Sequence, residues 1–243
     1  MKNIVIAAGY ATRLYPLTEN YPKPLLKLGD NTILGRLIYD IDSIEEIDEH
    51  IVVTNHKFVR HFEEWKSGFK TRNPIHILDD CTETNESRLG AVRDLLLAIE
   101  RYHIDEDVLV VAADNILDFS FCGFVDYFKE KQTSLIMCHY ESELYKLQRT
   151  GVITVNEHMR VLGMQEKPTV PASNWAVPPF YIYKQTDLQL VKDCMNHGCD
   201  SDAPGNLAYY LCERTPMHAW IMPGKRYDIG TLDSYYEAQK IFN

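Results

Sequence analysis

The sequence predicts an α/β fold, in which a mixed, mostly parallel sheet is flanked by helices. Three observations predict it. Apolar runs at residues 4–8 (IVIAA), 50–55 (HIVVTN) and 108–114 (VLVVAAD) read as strands buried on both faces. Segments of helical period separate these runs, and strands alternating with helices favour a parallel sheet. A turn of small residues, Gly9-Tyr10-Ala11-Thr12-Arg13, follows the first strand directly. In Rossmann-like sheets, ligands bind outside the carboxyl ends of the strands.

The elements follow in order. Thr32 to Glu46 carries Ile33, Leu34, Leu37, Ile38 and Ile41 at helical spacing, with Asn31 as the expected N-cap. The strand at 50–55 follows, then an amphipathic helix at 58–69 and a third strand, PIHIL, at 74–78. Ser87 to Tyr102 reads as a helix with LLLAI at its centre. After the strand ending at Asp114 come a helix, FVDYFKEK, and a strand, SLIMCHY. Residues 149–168 alternate around Asn156-Glu157-His158 as a hairpin, and WAVPPFYIY is a strand made irregular by its prolines. Helices at 186–197 and 205–214, a strand at 217–222 and a helix at 231–242 close the chain. This order places Gly9–Arg13, Asn55, Asp79, Asp80 and Asp114 along one sheet edge. We read residues 1–243 as a single domain, with a first half of about 1–140 and a second of about 141–243.

Composition narrows the function. The formal charge of −10 argues against a nucleic-acid or anionic-membrane surface. No apolar run approaches the length of a membrane span, and MKNIVIAAGY is too short and strand-like for a signal peptide. Six scattered cysteines without a CxxC are expected to be buried, reduced thiols of a cytoplasmic protein. A homo-oligomer stays open. No repeating hexapeptide is present, so no left-handed β-helix is expected.

Some residues carry chemistry. The small residues after the first strand let backbone N–H groups approach an anion, and a guanidinium such as Arg13 grips phosphate through paired bonds. Pro22-Lys23-Pro24 braces one lysine between two prolines. Together they read as a polyphosphate site or as a surface loop with two solvated cations. As a loop residue, Lys23 is expected to be exposed and to support no core. Asp114, at the end of a strand, and Asp228, ahead of a helix, each read as a cap or as a ligand.

AAGYATRLYPLT…YPKPLLKLG resembles the signature of the sugar-1-phosphate nucleotidylyltransferases, LAGGxGTRLxPLT…PKPL. It is similar to the glucose-1-phosphate thymidylyltransferase-like members of that NDP-sugar pyrophosphorylase family. The family's glycines fall on Ala8, Gly9 and Ala11, so only Gly9 survives, and alanine penalises a positive φ. VLVVAAD and YDIGTLDSYYEA resemble the family's LVxxGD and WxDIGTPxxYxxA elements, while EKP at 166–168 and TGVI at 150–153 resemble its EKP and YGV elements.

The resemblance implies a nucleotide-diphospho-sugar transferase fold, an NTP and a sugar 1-phosphate as substrates, and Mg²⁺ as cofactor. The implied catalytic residues are Arg13, Lys23, Asp114 and Asp228, with both aspartates on the metal. The implied nucleotide contacts are Ile6, Ala8, Gly9, Ala11, Thr12, Arg13, Lys23, Asn85 and Gly90. Asn85 stands five residues before Gly90, where pyrimidine-nucleotide members carry a base-reading glutamine. Gly151, Glu166, Lys167 and Asp202 are the implied sugar-phosphate contacts. The implied reaction is attack of the sugar phosphate on the α-phosphorus of an NTP, releasing pyrophosphate.

Three alternatives stay open. One is a cytidylyltransferase acting on phosphocholine or another non-sugar phosphate, which an aromatic-rich second half (Trp175, Phe180, Tyr181, Tyr183) would suit. The second is a non-catalytic nucleotide-sugar-binding protein. The third is a Rossmann dehydrogenase, against which the absence of a GxGxxG counts.

Overall fold

A computed structural model describes residues 1–242. Asn243, the last residue of the expected domain, lies outside the described residues. The strands are β1 (Lys2–Ile6), β2 (Lys27–Leu28), β3 (Asn31–Thr32), β4 (Glu49–Thr54), β5 (Ile75–Asp79), β6 (Val108–Ala112) and β7 (Asn115–Leu117). They continue with β8 (Ser134–Tyr140), β9 (Gly151–Val155), β10 (Val161–Glu166), β11 (Trp175–Val177), β12 (Phe180–Tyr183), β13 (Met217–Ile221) and β14 (Arg226–Asp228). The α-helices are α1 (Ile33–Asp42), α2 (Val59–Gly68), α3 (Ala91–Tyr102), α4 (Cys122–Lys131), α5 (Leu144–Leu147), α6 (Gln189–Asn196), α7 (Pro204–Cys212) and α8 (Leu232–Phe242). This is the α/β class expected, and the strands at 4–8, 50–55, 74–78 and 108–114 all form.

The chain folds as two compact units interleaved in sequence. Unit one comprises Met1–Arg88, Ala112–Phe121 and the C-terminal stretch from Gly224; unit two comprises Leu89–Val111 and Cys122–Pro223.

In unit one, β1, β4 and β5 pair in parallel, with Ile4 opposite Ile51 and Val52 opposite Ile77. Ile4, Val5, Ile51, Val52 and Val53 are all buried, as the unbroken apolar runs require. A second, smaller core lies beneath the site described below. Leu14, Leu26, Leu28, Ile33, Ile116, Ile229 and Tyr235 pack there, drawn from the first loop, the Pro22–Pro24 turn, β7 and α8. Over it, β14 pairs antiparallel with β7, so Asp228 stands opposite Asn115.

In unit two the strand order is β10-β9-β11-β8-β12-β6, with antiparallel neighbours throughout. β13 adds to β8 in parallel. The expected hairpin is β9–β10. Pro178-Pro179 splits WAVPPFYIY into β11 and β12, because proline cannot continue a central ladder.

Two local expectations are corrected. The N-cap of α1 is Thr32, whose hydroxyl accepts from Gly35 N–H, while Asn31 Oδ1 accepts from Thr32 N–H. None of the six cysteines is in a disulfide, but only Cys138 and Cys194 are buried.

Candidate functional site

In unit one the site grows from the end of β1. Ala7 N–H donates to Val53 and Ala113 N–H donates to Ile6, which fixes the strand ends. The loop then turns over: Asn55 Nδ2 donates to the Ala8 carbonyl (2.9 Å) and Thr18 Oγ1 to the Ala11 carbonyl (2.8 Å). Ala11 takes φ 47° and ψ 41°, the left-handed conformation that favours glycine. The loop therefore keeps a glycine-like turn despite its alanine, and Leu14 N–H closes on the Ala11 carbonyl. At Gly9 an added Cβ would meet nothing within 4 Å. Thr12 and Arg13 are exposed, and among the described residues Arg13 makes no hydrogen bond or ion pair.

Lys23 does not behave as expected. It is only 8 % exposed. Its ammonium donates to Asp114 Oδ2 at 2.9 Å and to the Ile229 carbonyl at 2.7 Å. The correction has a physical cause: Pro22 and Pro24 set a tight turn whose following leucines anchor in the core, and the lysine is drawn in with them. An ammonium so placed must be paired, and here a carboxylate and a carbonyl pair it.

Asp114 sits just past β6, with its side chain 38 % exposed. Desolvation opposes its ionisation. The Lys23 charge and hydrogen bond, with the Arg226 charge, outweigh that and hold its carboxyl below the usual range. Asn115 Nδ2 donates to Asp114 Oδ1, and Arg226 Nη1 donates to Asn115 Oδ1 (2.7 Å). A chain of Lys23, Asp114, Asn115 and Arg226 results. Asp228 lies at the end of the same β7–β14 ladder, and the neighbouring Ile229 N–H donates to the Asp114 carbonyl (3.1 Å). The Asp228 carboxylate is exposed and has no hydrogen-bond or ion-pair partner among the described residues. Asn85 is half-buried, with its carbonyl accepting from Arg88.

Among the described residues, no three His, Cys, Asp or Glu side chains form a group able to hold a metal ion. A metal at Asp114 and Asp228 would draw its remaining ligands from bound phosphate and water.

Unit two carries the remaining predicted residues. Gly90 is buried at φ 89°, and a Cβ there would stand 2.4 Å from the Ser201 carbonyl. That close approach lets the Ser201 and Asp202 carbonyls accept from Val92 and Ala91 N–H, capping α3. Asp202 itself is exposed. Glu166 ends β10 with its side chain 18 % exposed; burial raises its pKa, and Lys167, whose Nζ lies 3.7 Å from Oε1, opposes the rise. Lys167 is 55 % exposed by side chain and takes φ 46°. Gly151 opens β9, and its backbone lies against Met164, Glu166 and Val177.

Asn55, Asn115 and Arg226 were not singled out for these contacts. Asn115 directly follows Asp114, and Arg226 stands two before Asp228, so proximity to each aspartate was the available signal.

The model of the nucleotidyl transferase family matches residues 2–243. The chain belongs to that family. The chain is 25% identical over 248 residues to the glucose-1-phosphate adenylyltransferase of Geobacillus stearothermophilus, covering 97% of this chain and 64% of the relative. It thus spans under two thirds of that relative's length. Among solved structures, it superposes on UDP-glucose pyrophosphorylase complexed with UDP-glucose (TM-score 0.83, 20% identity, 99% of this chain and 97% of the other). It also superposes on a putative glucose-1-phosphate thymidylyltransferase from Bacillus anthracis in complex with sucrose (TM-score 0.78, 20% identity, 99% and 94%). These likenesses establish the mixed sheet flanked by helices as a nucleotide-diphospho-sugar transferase fold. No helix among the described residues is long and apolar enough to cross a membrane.

Proposed function

We propose that this protein makes an NDP-sugar and pyrophosphate from an NTP and a sugar 1-phosphate. The observation that carries the proposal is the pairing of buried Lys23 with Asp114, in the same unit as a glycine-like loop bearing an unpartnered Arg13. A solvated surface loop has no reason to bury its lysine on an aspartate. A site for polyphosphate and a divalent cation does.

The sugar phosphate is ionised at neutral pH, so its attack on the α-phosphorus needs no general base. Catalysis is positioning and charge stabilisation. Arg13 would grip the β- and γ-phosphates through its free guanidinium. Lys23, already oriented by Asp114 and Ile229, would stabilise charge on the α-phosphate and leaving group. Gly9, Ala11 and Thr12 would present backbone to the phosphates, Ile6 and Ala8 would border the base and ribose, Asn85 would read the base, and Gly90 would be a further nucleotide contact. In unit two, Lys167 would hold the phosphate of the second substrate, and Glu166, Gly151 and Asp202 would contact the sugar.

The donor set fits magnesium, which takes hard oxygen ligands and keeps phosphate oxygens and water around it. Asp114 and Asp228 would hold it. When bound, it would neutralise phosphate charge. The Lys23 charge helps to hold the Asp114 carboxyl below the usual carboxylate range, which favours the ionised form that a metal ligand needs.

The relatives named above act, by their names, on glucose 1-phosphate or make UDP-glucose, which makes glucose 1-phosphate the first substrate to try. The test is pyrophosphate release with ATP, UTP, dTTP, CTP and GTP against sugar 1-phosphates and phosphocholine. Release with a sugar 1-phosphate supports the proposal. Release only with phosphocholine, or tight NTP binding without turnover, refutes it.

A further inference from the structure

Gly205 is the first residue of the helix that the sequence predicts over 205–214. The structure gives it a more specific setting. It is the second residue of α7 and is buried. A Cβ added there would stand 1.9 Å from Glu166 Oε2 and 2.9 Å from Met164 Cε. The cross-strand partner of Glu166 on β9 is also a glycine: a Cβ on Gly151 would stand 2.7 Å from Met164 Cε and 3.3 Å from Glu166 Oε2. The Glu166 carboxylate therefore lies in a slot between two backbones, that of β9 and that of the first turn of α7.

The helix end suits the carboxylate. The N-cap of α7, Ala203, offers no side-chain hydrogen bond, and Pro204 at the first position has no N–H to offer. A carboxylate beside that turn meets the positive end of the helix dipole. One oxygen, Oε2, is wedged against Gly205, while Oε1 faces Lys167 at 3.7 Å.

We propose that Gly205 is a positioning residue: its missing side chain holds the Glu166 carboxylate in the slot and so sets where Glu166 meets a hydroxyl of the sugar phosphate. The proposal rests on the reading of Glu166 as a sugar contact. The atoms a Cβ would strike, Oε2 and Cε, are the free ends of flexible side chains. A Gly205→Ala change is therefore absorbed by swinging Glu166 and Met164 aside, and alanine is the better helix former. The fold should survive while the carboxylate moves, and misplacing a substrate contact by about an ångström can cost up to about a hundredfold.

The experiment compares wild type, Gly205→Ala, Gly205→Ser, Glu166→Ala and the double variant Gly205→Ala/Glu166→Ala. Glucose 1-phosphate is the varied substrate, and NTP affinity is read by calorimetry. The expected result is a rise in KM for glucose 1-phosphate of about tenfold or more in Gly205→Ala, with NTP affinity unchanged and Tm not lowered. The double variant should be no worse than Glu166→Ala alone. If Glu166→Ala raises KM but Gly205→Ala and Gly205→Ser do not, the positioning role is overturned and the reading of Glu166 stands. If Glu166→Ala leaves KM unchanged, that reading falls and the positioning role falls with it. A lowered Tm in both Gly205 variants would overturn the proposal too, because the clash would then have fallen on the core. An additive double variant would do the same.

Discussion

Replacing Lys23 by methionine removes the ammonium and keeps most of the stem. Two groups lose their partner. Asp114 Oδ2 gives up a charge-assisted bond of 2.9 Å, and the Ile229 carbonyl gives up one of 2.7 Å. The first loss is about 1.5–3 kcal/mol, and a carbonyl left unpaired costs about 1–3 kcal/mol. The sum must be discounted, because the Asp114 side chain is 38 % exposed and water and Arg226 remain to it. We expect a net destabilisation of about 2–4 kcal/mol. For a chain of 243 residues, at about 2 °C per kcal/mol, that lowers Tm by about 4–8 °C. Thermal unfolding by circular dichroism, without nucleotide or metal, reads it directly. Adding Asp114→Asn to Lys23→Met should recover part of the loss, since the stranded charge is then gone. A Tm shift under about 1 °C, the range of ordinary surface substitutions, would show that the ion pair supports nothing and that Lys23 is a solvated loop lysine.

Other expectations follow from the same geometry. Arg13→Ala should leave Tm unchanged, since Arg13 has no partner among the described residues, yet weaken NTP binding by about tenfold; Lys167→Ala should spare NTP affinity and raise KM for the sugar phosphate, and equal NTP losses in the two would refute that division. Asp114→Asn and Asp228→Asn should each depress activity, the double variant should lose far less than the product of the two, and EDTA should abolish turnover until Mg²⁺ is restored; independent effects would refute a shared metal. His50 is fully buried between Asn3 Nδ2 (2.9 Å) and Asp42 Oδ1 (3.1 Å), and burial holds its pKa below the ordinary value despite Asp42. The unfolded chain binds that proton more readily, so the stabilisation is present above about pH 6.5 and is lost as pH falls through that value toward the folded pKa; Tm should drop between pH 7.5 and 5.5, and His50→Gln should flatten that slope.

The sequence made some of this legible and hid the rest for physical reasons. Buried strands advertise themselves through unbroken apolar runs, so β1, β4 and β6 could be read directly. The β7–β14 ladder could not: each strand has three residues, and Asp228 and its partner Asn115 are far apart in the chain. The burial of Lys23 was hidden for the same reason, because its partners lie 91 and 206 residues away. Asn31 and Thr32 are both good N-caps, and only the backbone shows that Thr32 takes the role. Gly205 was illegible as a contact because its significance is the side chain it lacks, opposite a glutamate nearly forty residues earlier in sequence.

In the proposed reaction a sugar phosphate displaces pyrophosphate from an NTP. Incubation of the protein with Mg²⁺, glucose 1-phosphate and each NTP in turn, with both products quantified by chromatography, tests it most directly. NDP-glucose and pyrophosphate should form in equal amounts with at least one NTP, only when both substrates are present, and not after Lys23→Met. Pyrophosphate released without glucose 1-phosphate, or no NDP-sugar from any NTP and sugar 1-phosphate pair, would contradict it.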